Sequence, residues 1–217
     1  MLLFFNHRLS TGKYKDDFEL WYYRWTRVII RLFISKERNI EEEREMDWKS
    51  LLTDGYGRIL GVLERSLKGL SQDDLQWQPH PDANSIGWLA WHLTRVQDDH
   101  ISALTGEEQL WTGDGWHTRF NRPPDASDRG FGHTPEQVRA FKSPDAETQL
   151  AYHRAVLERS NRYFNTLSGD DLDRELNEPQ YQPLPTVGVR LVSVLSDNLQ
   201  HAGQAAYIRG LLQGSRK

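Results

Sequence analysis

Apolar residues recur at intervals of three and four along most of the chain after Met46. This spacing places them on one face of an α-helix, and the alternation typical of a strand is absent. The pattern therefore predicts an all-α fold, an antiparallel four-helix bundle with long crossover connections. The four long helices are expected from Met46 to Gly69, from Ser85 to Gly106, from Pro144 to Leu167 and from Thr186 to Gly214.

The first 45 residues differ in composition from the rest of the chain. Aromatic residues and arginines crowd between Phe18 and Ile34, and an acidic run precedes Met46. One interpretation is a helix that lies on a membrane surface or binds a partner. The favoured one is a start set too early, because a translated purine-rich ribosome-binding stretch would resemble this acidic run. We therefore expect residues 1–45 to contribute nothing to the core and residues 46–217 to form the functional domain.

Composition excludes several classes of function. The net charge of −4 gives no basic excess for a phosphate backbone, so no nucleic-acid partner is predicted. The chain has no cysteine, which excludes disulfides, thiolate ligands and a cysteine nucleophile. A metal would need nitrogen and oxygen ligands, and thiol chemistry would need an external thiol. No apolar run has the length of a membrane span, so a cytoplasmic protein without a membrane partner is predicted.

The strongest candidate chemistry lies in the segment DNLQHAGQ of the last predicted helix, where Asp197 and His201 are four residues apart. Helical residues at this spacing share one face, so both side chains can reach one ion. A third ligand has to come from another helix, and His92 is the best donor because it lies on an apolar face. Gln204 follows His201 by one turn and is a candidate to orient it. From the residues alone, a solvated polar stripe and a hydrogen-bonded core histidine remain the alternatives.

Further candidates surround this set. The connection from Glu107 to His133 is expected to lack regular structure and to line the entrance to the site. Within it, Trp111 and Trp116 are expected to form the wall of a pocket over the metal, with core packing as the alternative. A carboxylate on a thiol cofactor has three candidate partners, Arg95, Arg119 and Arg190, although solvated arginines are the alternative. The other histidines of the helical region are expected at the surface or the rim: His100, His117, His133 and His153.

Three stretches together resemble the DinB-like superfamily, in the branch that includes mycothiol- and bacillithiol-dependent enzymes: NSIGWLAWHLTRVQDDHISALTG, WTGDGWHTRF and GVRLVSVLSDNLQHAGQAAYIRGLL. The resemblance extends over residues 46–217. It implies a four-helix bundle with a metal held by His92 from the second helix and by Asp197 and His201 from the last. Asp197 stands where the commonest family pattern has histidine, while Gly203 and Gln204 match the family's Gly-Gln pair.

The resemblance also implies a function. Three protein ligands leave coordination positions open, which is typical of a catalytic metal site. The expected protein is a thiol S-transferase or isomerase that uses a metal-activated thiolate of the mycothiol or bacillithiol type. Zinc is the expected metal, with nickel or iron as substitutes. The alternatives are a non-catalytic, stress-related metal-binding bundle that forms a homodimer, and a hydrolase that uses metal-bound water.

Overall fold

The computed structural model describes residues 46–215. The interpretations of residues 1–45, a surface helix or a displaced start, therefore lie outside the described residues. Within the described range the regular secondary structure is helical, apart from one isolated bridge between Glu175 and Thr186. A 3-10 turn over Asp170–Asp173 separates the last two α-helices. The α-helices are α1 (Trp48–Leu67), α2 (Gln72–Gln76), α3 (Ile86–Thr105), α4 (Leu110–Gly113), α5 (Trp116–Arg119), α6 (Pro135–Ala140), α7 (Ala146–Thr166) and α8 (Val187–Gly214).

The four long helices begin and end close to the predicted residues. Ser85, Asp145 and Thr186 each precede a long helix, and each side chain accepts a backbone N–H from the first turn. Such caps satisfy donors that have no partner inside the helix. Gly106 ends α3 in a left-handed conformation with φ of 74°. The predicted all-α bundle is confirmed.

α3 is the central helix of the bundle. It is buried along most of its length and packs against both α7 and α8, while α1 packs against α7 and α8 from the other side. The face that α3 presents to α8 carries His92, and the facing part of α8 carries Asp197 and His201. No helix among residues 46–215 is long and apolar enough to cross a membrane.

The long connection after α3 contains α4 and α5, so the prediction that it lacks regular structure is wrong. Asp98 of α3 explains the start of α4, because its carboxylate accepts the N–H groups of Leu110 at 3.0 Å and of Trp111 at 2.9 Å. Arg95 donates to two backbone carbonyls within residues 126–128, near the other end of the connection. These buried charges therefore hold the connection against α3 at two places, a long-range effect that local sequence does not reveal.

Candidate metal site

His92, Asp197 and His201 lie together between α3 and α8. One potential ligand atom from each residue lies within 4.8 Å of the other two. The two imidazole rings have centroids 4.7 Å apart and stand nearly perpendicular to each other. His201 Nε2 lies 3.5 Å from Asp197 Oδ1. The structure thus brings together the three predicted ligands at distances that a small side-chain rotation could close around one ion.

The hydrogen bonds of the two histidines direct the same ring nitrogen into the site. His92 Nδ1 donates to the carbonyl of Arg129, so this nitrogen carries the proton and Nε2 keeps a free lone pair. His201 Nδ1 lies 2.9 Å from Oε1 of Gln204, which imposes the same tautomer. Metal-binding histidines are commonly oriented in this way by an oxygen acceptor on the other ring nitrogen. Gln204 thus has the position predicted for a group that orients His201.

Asp197 has an oxygen that its neighbours leave unused. Its Oδ2 is buried and has no hydrogen-bond partner among the described residues. Burial by itself would raise the pKa of the Asp197 carboxyl, but the hydrogen bond with His201 and the nearby histidine charges outweigh it and lower the pKa. The carboxylate is therefore ionised at neutral pH, and a buried anionic oxygen without a partner is costly unless a cation satisfies it. The chemistry of these three residues therefore fits a metal ion, which would satisfy this oxygen.

The two histidines differ in their affinity for protons. Burial lowers the pKa of His92, although its backbone hydrogen bond to Arg129 opposes the shift. Burial also acts to lower the pKa of His201, but hydrogen bonds with Asp197 and Gln204 outweigh it and raise that pKa. His92 is therefore a neutral donor at neutral pH, whereas a cation would compete with a proton for His201. Two imidazole nitrogens and one carboxylate oxygen are a donor set that suits zinc and related divalent ions.

Gly130 positions His92, a role that the sequence reasoning missed. The indole of Trp88 stacks on His92 with centroids 4.7 Å apart, and Gly130 passes beside both rings with φ of 83°. A Cβ at this glycine would lie 2.8 Å from atoms of Trp88 and Trp91 and 3.1 Å from His92 Nδ1. Only glycine therefore lets the Arg129 carbonyl approach the imidazole so closely. The two glycines in RGFG were the available sequence signal.

A cavity of about 450 Å³ adjoins His92 and Asp197, and its volume is within the usual range of small-molecule sites. His92 and Asp197 form part of its wall, so an ion held by them would face the cavity. The connection from Glu107 to His133 contributes Arg129 and Phe131 to the wall of this cavity, and its role at the entrance of a functional site stays a prediction. The remaining lining residues come from α3, α8 and the segment before α8: Val96, Asp99, His100, Ala103, Glu178, Gln180, Tyr181, Arg190, Ser193 and Val194.

Three residues expected to bind a cofactor lie elsewhere. Trp111 is 1% exposed and Trp116 is 6% exposed, and both pack in the core, not at the cavity. Arg95 is fully buried, stacks on Trp111 and pairs with Asp98. Their expected position over the metal is therefore corrected. The reason is that Asp98 and Arg95 draw the connection inward and bury its indoles.

The arginines and histidines considered with them divide between cavity and core. Arg190 and His100 line the cavity, whereas Arg119 stacks on Trp116. Burial, assisted by the charge of Arg190, lowers the pKa of His100 to about 4. His100 is partly buried in the cavity wall, a rim position and not a fully exposed one. His117 and His133 are partly exposed, as expected.

His153 is fully buried, which corrects its expected surface position. It belongs to a polar stripe of α7 that faces polar groups of α3. The pairs are Gln149 with the Gly87 carbonyl, His153 with Thr94, and Ser160 with Gln97. Because these buried positions are polar, the apolar periodicity on which the prediction depended did not mark them as core.

Comparisons with known proteins agree with this architecture. The family model of the DinB superfamily matches residues 58–205. The crystal structure of a conserved protein from Enterococcus faecalis is similar over 78% of this chain and 99% of that chain, with 28% sequence identity and a TM-score of 0.72. No curated protein matches the chain significantly.

Proposed function

We propose, since the chain belongs to the DinB superfamily, that it is a metal-dependent enzyme that joins a low-molecular-weight thiol to an electrophilic small molecule or uses that thiol to isomerise it. The observation that carries the proposal is that His92, Asp197 and His201 lie together at the edge of a cavity, with a buried Asp197 Oδ2 that has no hydrogen-bond partner among the described residues. A divalent ion bound there would lower the pKa of a coordinated thiol and supply a thiolate at neutral pH.

The residues of the chain would hold and orient the reactants. His92 and His201 would each give a neutral nitrogen, and Asp197 would give one negative oxygen, which leaves a net positive charge on a divalent site. That charge favours an anionic sulfur over a neutral thiol. Three protein ligands would leave coordination positions on a bound ion free for a small molecule. Zinc is the proposed metal, and nickel or iron suits the same donors.

The reaction balances with an external thiol. In transfer, the sulfur loses its proton to solvent and forms a bond to the electrophilic carbon, while a leaving group departs with its bonding electrons. In isomerisation, the thiolate adds to the carbon and later leaves again. The sulfur cannot come from the chain, which has no cysteine. The proposed partners are thus small molecules, and a homodimer and a cytoplasmic location stay predictions.

Elemental analysis and turnover of the full-length protein test the proposal. We expect about one divalent ion per chain, as one three-ligand site requires. We also expect turnover of a chromogenic aryl halide that depends on an added thiol and is lost in His201→Ala. Turnover of ester substrates without thiol would favour the hydrolase instead. Protein that binds metal without turning over any thiol acceptor would favour the non-catalytic bundle, and protein without metal would overturn the proposal.

A further inference from the structure

Arg190, in the first turn of α8, lies at the cavity with part of its hydrogen-bonding capacity unused. Its side chain is only 12% exposed and forms an ion pair with Glu178. Its Nε is buried and has no hydrogen-bond partner among the described residues. A guanidinium offers five N–H donors in a planar fork that matches a carboxylate with two parallel hydrogen bonds. The cavity therefore contains a buried cation that its own neighbours satisfy only in part.

Glu178 lies in the tip of a loop, residues 177–184, whose base is closed by two backbone hydrogen bonds. The N–H of Leu176 donates to the Pro185 carbonyl at 2.8 Å, and the N–H of Val187 donates to the Arg174 carbonyl at 3.0 Å. Between these bonds, residues 177–184 form neither helix nor strand. The ion pair with Arg190 ties this tip to α8 over the cavity. The tip can shift while the base of the loop stays fixed, because the two hydrogen bonds at the base do not involve residues of the tip.

We propose that the cavity binds a small molecule with a carboxylate group and that Arg190 binds this carboxylate in place of Glu178. The inference rests on the proposed function for the other end of the ligand, near the metal site. In the absence of ligand, the carboxylate of Glu178 occupies the position at Arg190 that the carboxylate of the ligand would take. When the ligand replaces it, the tip of residues 177–184 moves away from α8.

The charges of the cavity favour an anionic ligand at this position. Asp99 and Arg129 form an ion pair with each other, so each charge is already neutralised by the other. Asp197 belongs to the metal site. Once Glu178 is displaced, Arg190 is left as a largely buried cation without a counterion, and this is costly unless the ligand is negative. A neutral ligand would leave that charge unpaired.

The rest of the wall indicates an apolar body for the ligand. The cavity is also lined by the small apolar side chains of Val96, Ala103 and Val194. Phe131 lies at the cavity and is 88% exposed, an unusual exposure for a large aromatic side chain. Tyr181, on the tip that carries Glu178, is also half-exposed there. The ligand is therefore a carboxylic acid with a hydrocarbon or aromatic body, either the thiol or the electrophile of the reaction.

Binding of matched probes to the full-length protein tests this inference. Hexanoate and hexanamide have the same body and differ in charge, and ligand-observed NMR gives their Kd values with metal-free and zinc-loaded protein. We expect hexanoate to bind roughly tenfold more tightly than hexanamide in both forms, the usual size of a charge-assisted contact. Arg190→Gln should bind the two probes equally. Glu178→Gln should bind hexanoate more tightly than the unaltered protein, because the competing carboxylate is gone.

The exposed ion pair of Arg162 with Glu158 on α7 provides matched controls. Arg162→Gln and Glu158→Gln make the same chemical changes away from the cavity lining and should leave both Kd values unchanged. Glu178 is partly exposed, so its variant reports on the inference even if Arg190→Gln fails to fold. Unchanged hexanoate affinity in Glu178→Gln would overturn the inference.

The source of the carboxylate and the role of the metal are separated by two further comparisons. If 6-mercaptohexanoate binds the zinc-loaded protein much more tightly than hexanoate, one molecule reaches both ends and the carboxylate belongs to the thiol. Without that gain, it belongs to the electrophile. A preference for hexanoate that survives in Arg190→Gln and disappears without zinc places the carboxylate on the metal. That result would overturn this inference and leave the proposed function standing, whereas failure to bind metal would leave the metal-free comparison valid.

Discussion

Asp98 and Asp197 are both carboxylates on long helices of the bundle, but their oxygens are used differently. Asp98 is fully buried and accepts hydrogen bonds from Tyr152 at 2.7 Å, from Arg95 and from two backbone N–H groups of α4. Asp197 is only partly buried, and one of its oxygens is buried without a donor. A satisfied buried carboxylate stabilises the fold, whereas an unsatisfied one beside two imidazole nitrogens can still bind a cation.

The same contrast separates the two buried polar regions of α3. The region around Arg95 and Asp98 has a partner for each charge and holds the long connection in place. The region around His92 directs a free ring nitrogen toward α8. Hydrogen-bond satisfaction therefore distinguishes structural from functional polar groups where residue type and spacing do not. Substitutions around Arg95 and Asp98 should therefore lower the stability of the fold, whereas substitutions around His92 should weaken metal binding and leave the stability nearly unchanged.

The largest effect is expected for Asp98→Asn. The change keeps the shape of the side chain but leaves the charge of buried Arg95 unpaired, so the free energy of unfolding should fall by about 3–5 kcal/mol. Urea denaturation followed by circular dichroism measures this. In metal-free protein, Asp197→Asn should lower the same quantity by less than about 1 kcal/mol, because its ion pair is partly solvated. Similar losses in the two variants would contradict the distinction between the regions.

His201→Ala should weaken zinc binding more than hundredfold. The loss of a direct ligand should exceed the effect of losing an outer partner, which is about tenfold to hundredfold. Asp197→His should keep the metal, since it restores the residue expected in the commonest family pattern. Competition with a chromogenic chelator gives both affinities. Metal-free His201→Ala should unfold at nearly the same urea concentration as unaltered protein, and tight zinc binding by this variant would remove His201 from the site.

A third comparison sets His153 of the core against His201 of the site. Burial lowers the pKa of His153 to about 4, with the charge of Arg154 acting in the same direction. As the pH falls, the imidazole of His153 is protonated in the unfolded chain before it is protonated in the folded one. The contribution of His153 to the free energy of unfolding is therefore full above about pH 6.5 and declines as the pH falls toward 4. The raised pKa of His201 acts oppositely. The contribution of His201 to the free energy of unfolding is full below about pH 6.5 and is lost as the pH rises through its raised pKa.

His153→Asn isolates the core contribution. The asparagine amide can keep the hydrogen bond to Thr94 but does not titrate. Between pH 7 and pH 5, the free energy of unfolding of the unaltered metal-free protein should fall by about 2 kcal/mol more than that of the variant. Urea titrations at the two pH values measure the difference. Equal pH dependence in the two proteins would show that His153 is not buried in a neutral state.

The smallest effect is expected for Gln204→Leu. The variant removes the oxygen that orients His201 and should weaken zinc binding roughly tenfold, without loss of stability. Gln200→Leu is the matched control, because Gln200 is an exposed glutamine of the same helix whose hydrogen bonds within residues 46–215 go to Ser196. The same chelator competition measures both. If the two variants bind zinc equally well, Gln204 does not position the ligand.

Much of this organisation was predictable from local signals. The residues Ser85 and Thr186 predicted the starts of α3 and α8, because capping depends on neighbours within one turn. The spacing of Asp197 and His201 predicted that they share a face, the apolar face of its helix favoured His92 as their partner, and the resemblance to the DinB-like superfamily implied the same three residues. The position of Trp111 was not predictable in this way, since it depends on Asp98, which is 13 residues away in sequence.

The sequence by itself therefore determined the helices, their faces and the set of three candidate ligands. The helices and their faces depend on periodicity and capping, which act over a few residues, and the ligand set depends on spacing together with the resemblance to the DinB-like superfamily. The tertiary structure alone decided which polar groups are satisfied: the full set of donors around Asp98, the unused Oδ2 of Asp197, the burial of His153 and the pairing of Glu178 with Arg190. The physical reason is that burial and hydrogen-bond satisfaction arise where distant segments meet, and no local pattern encodes which segments those are.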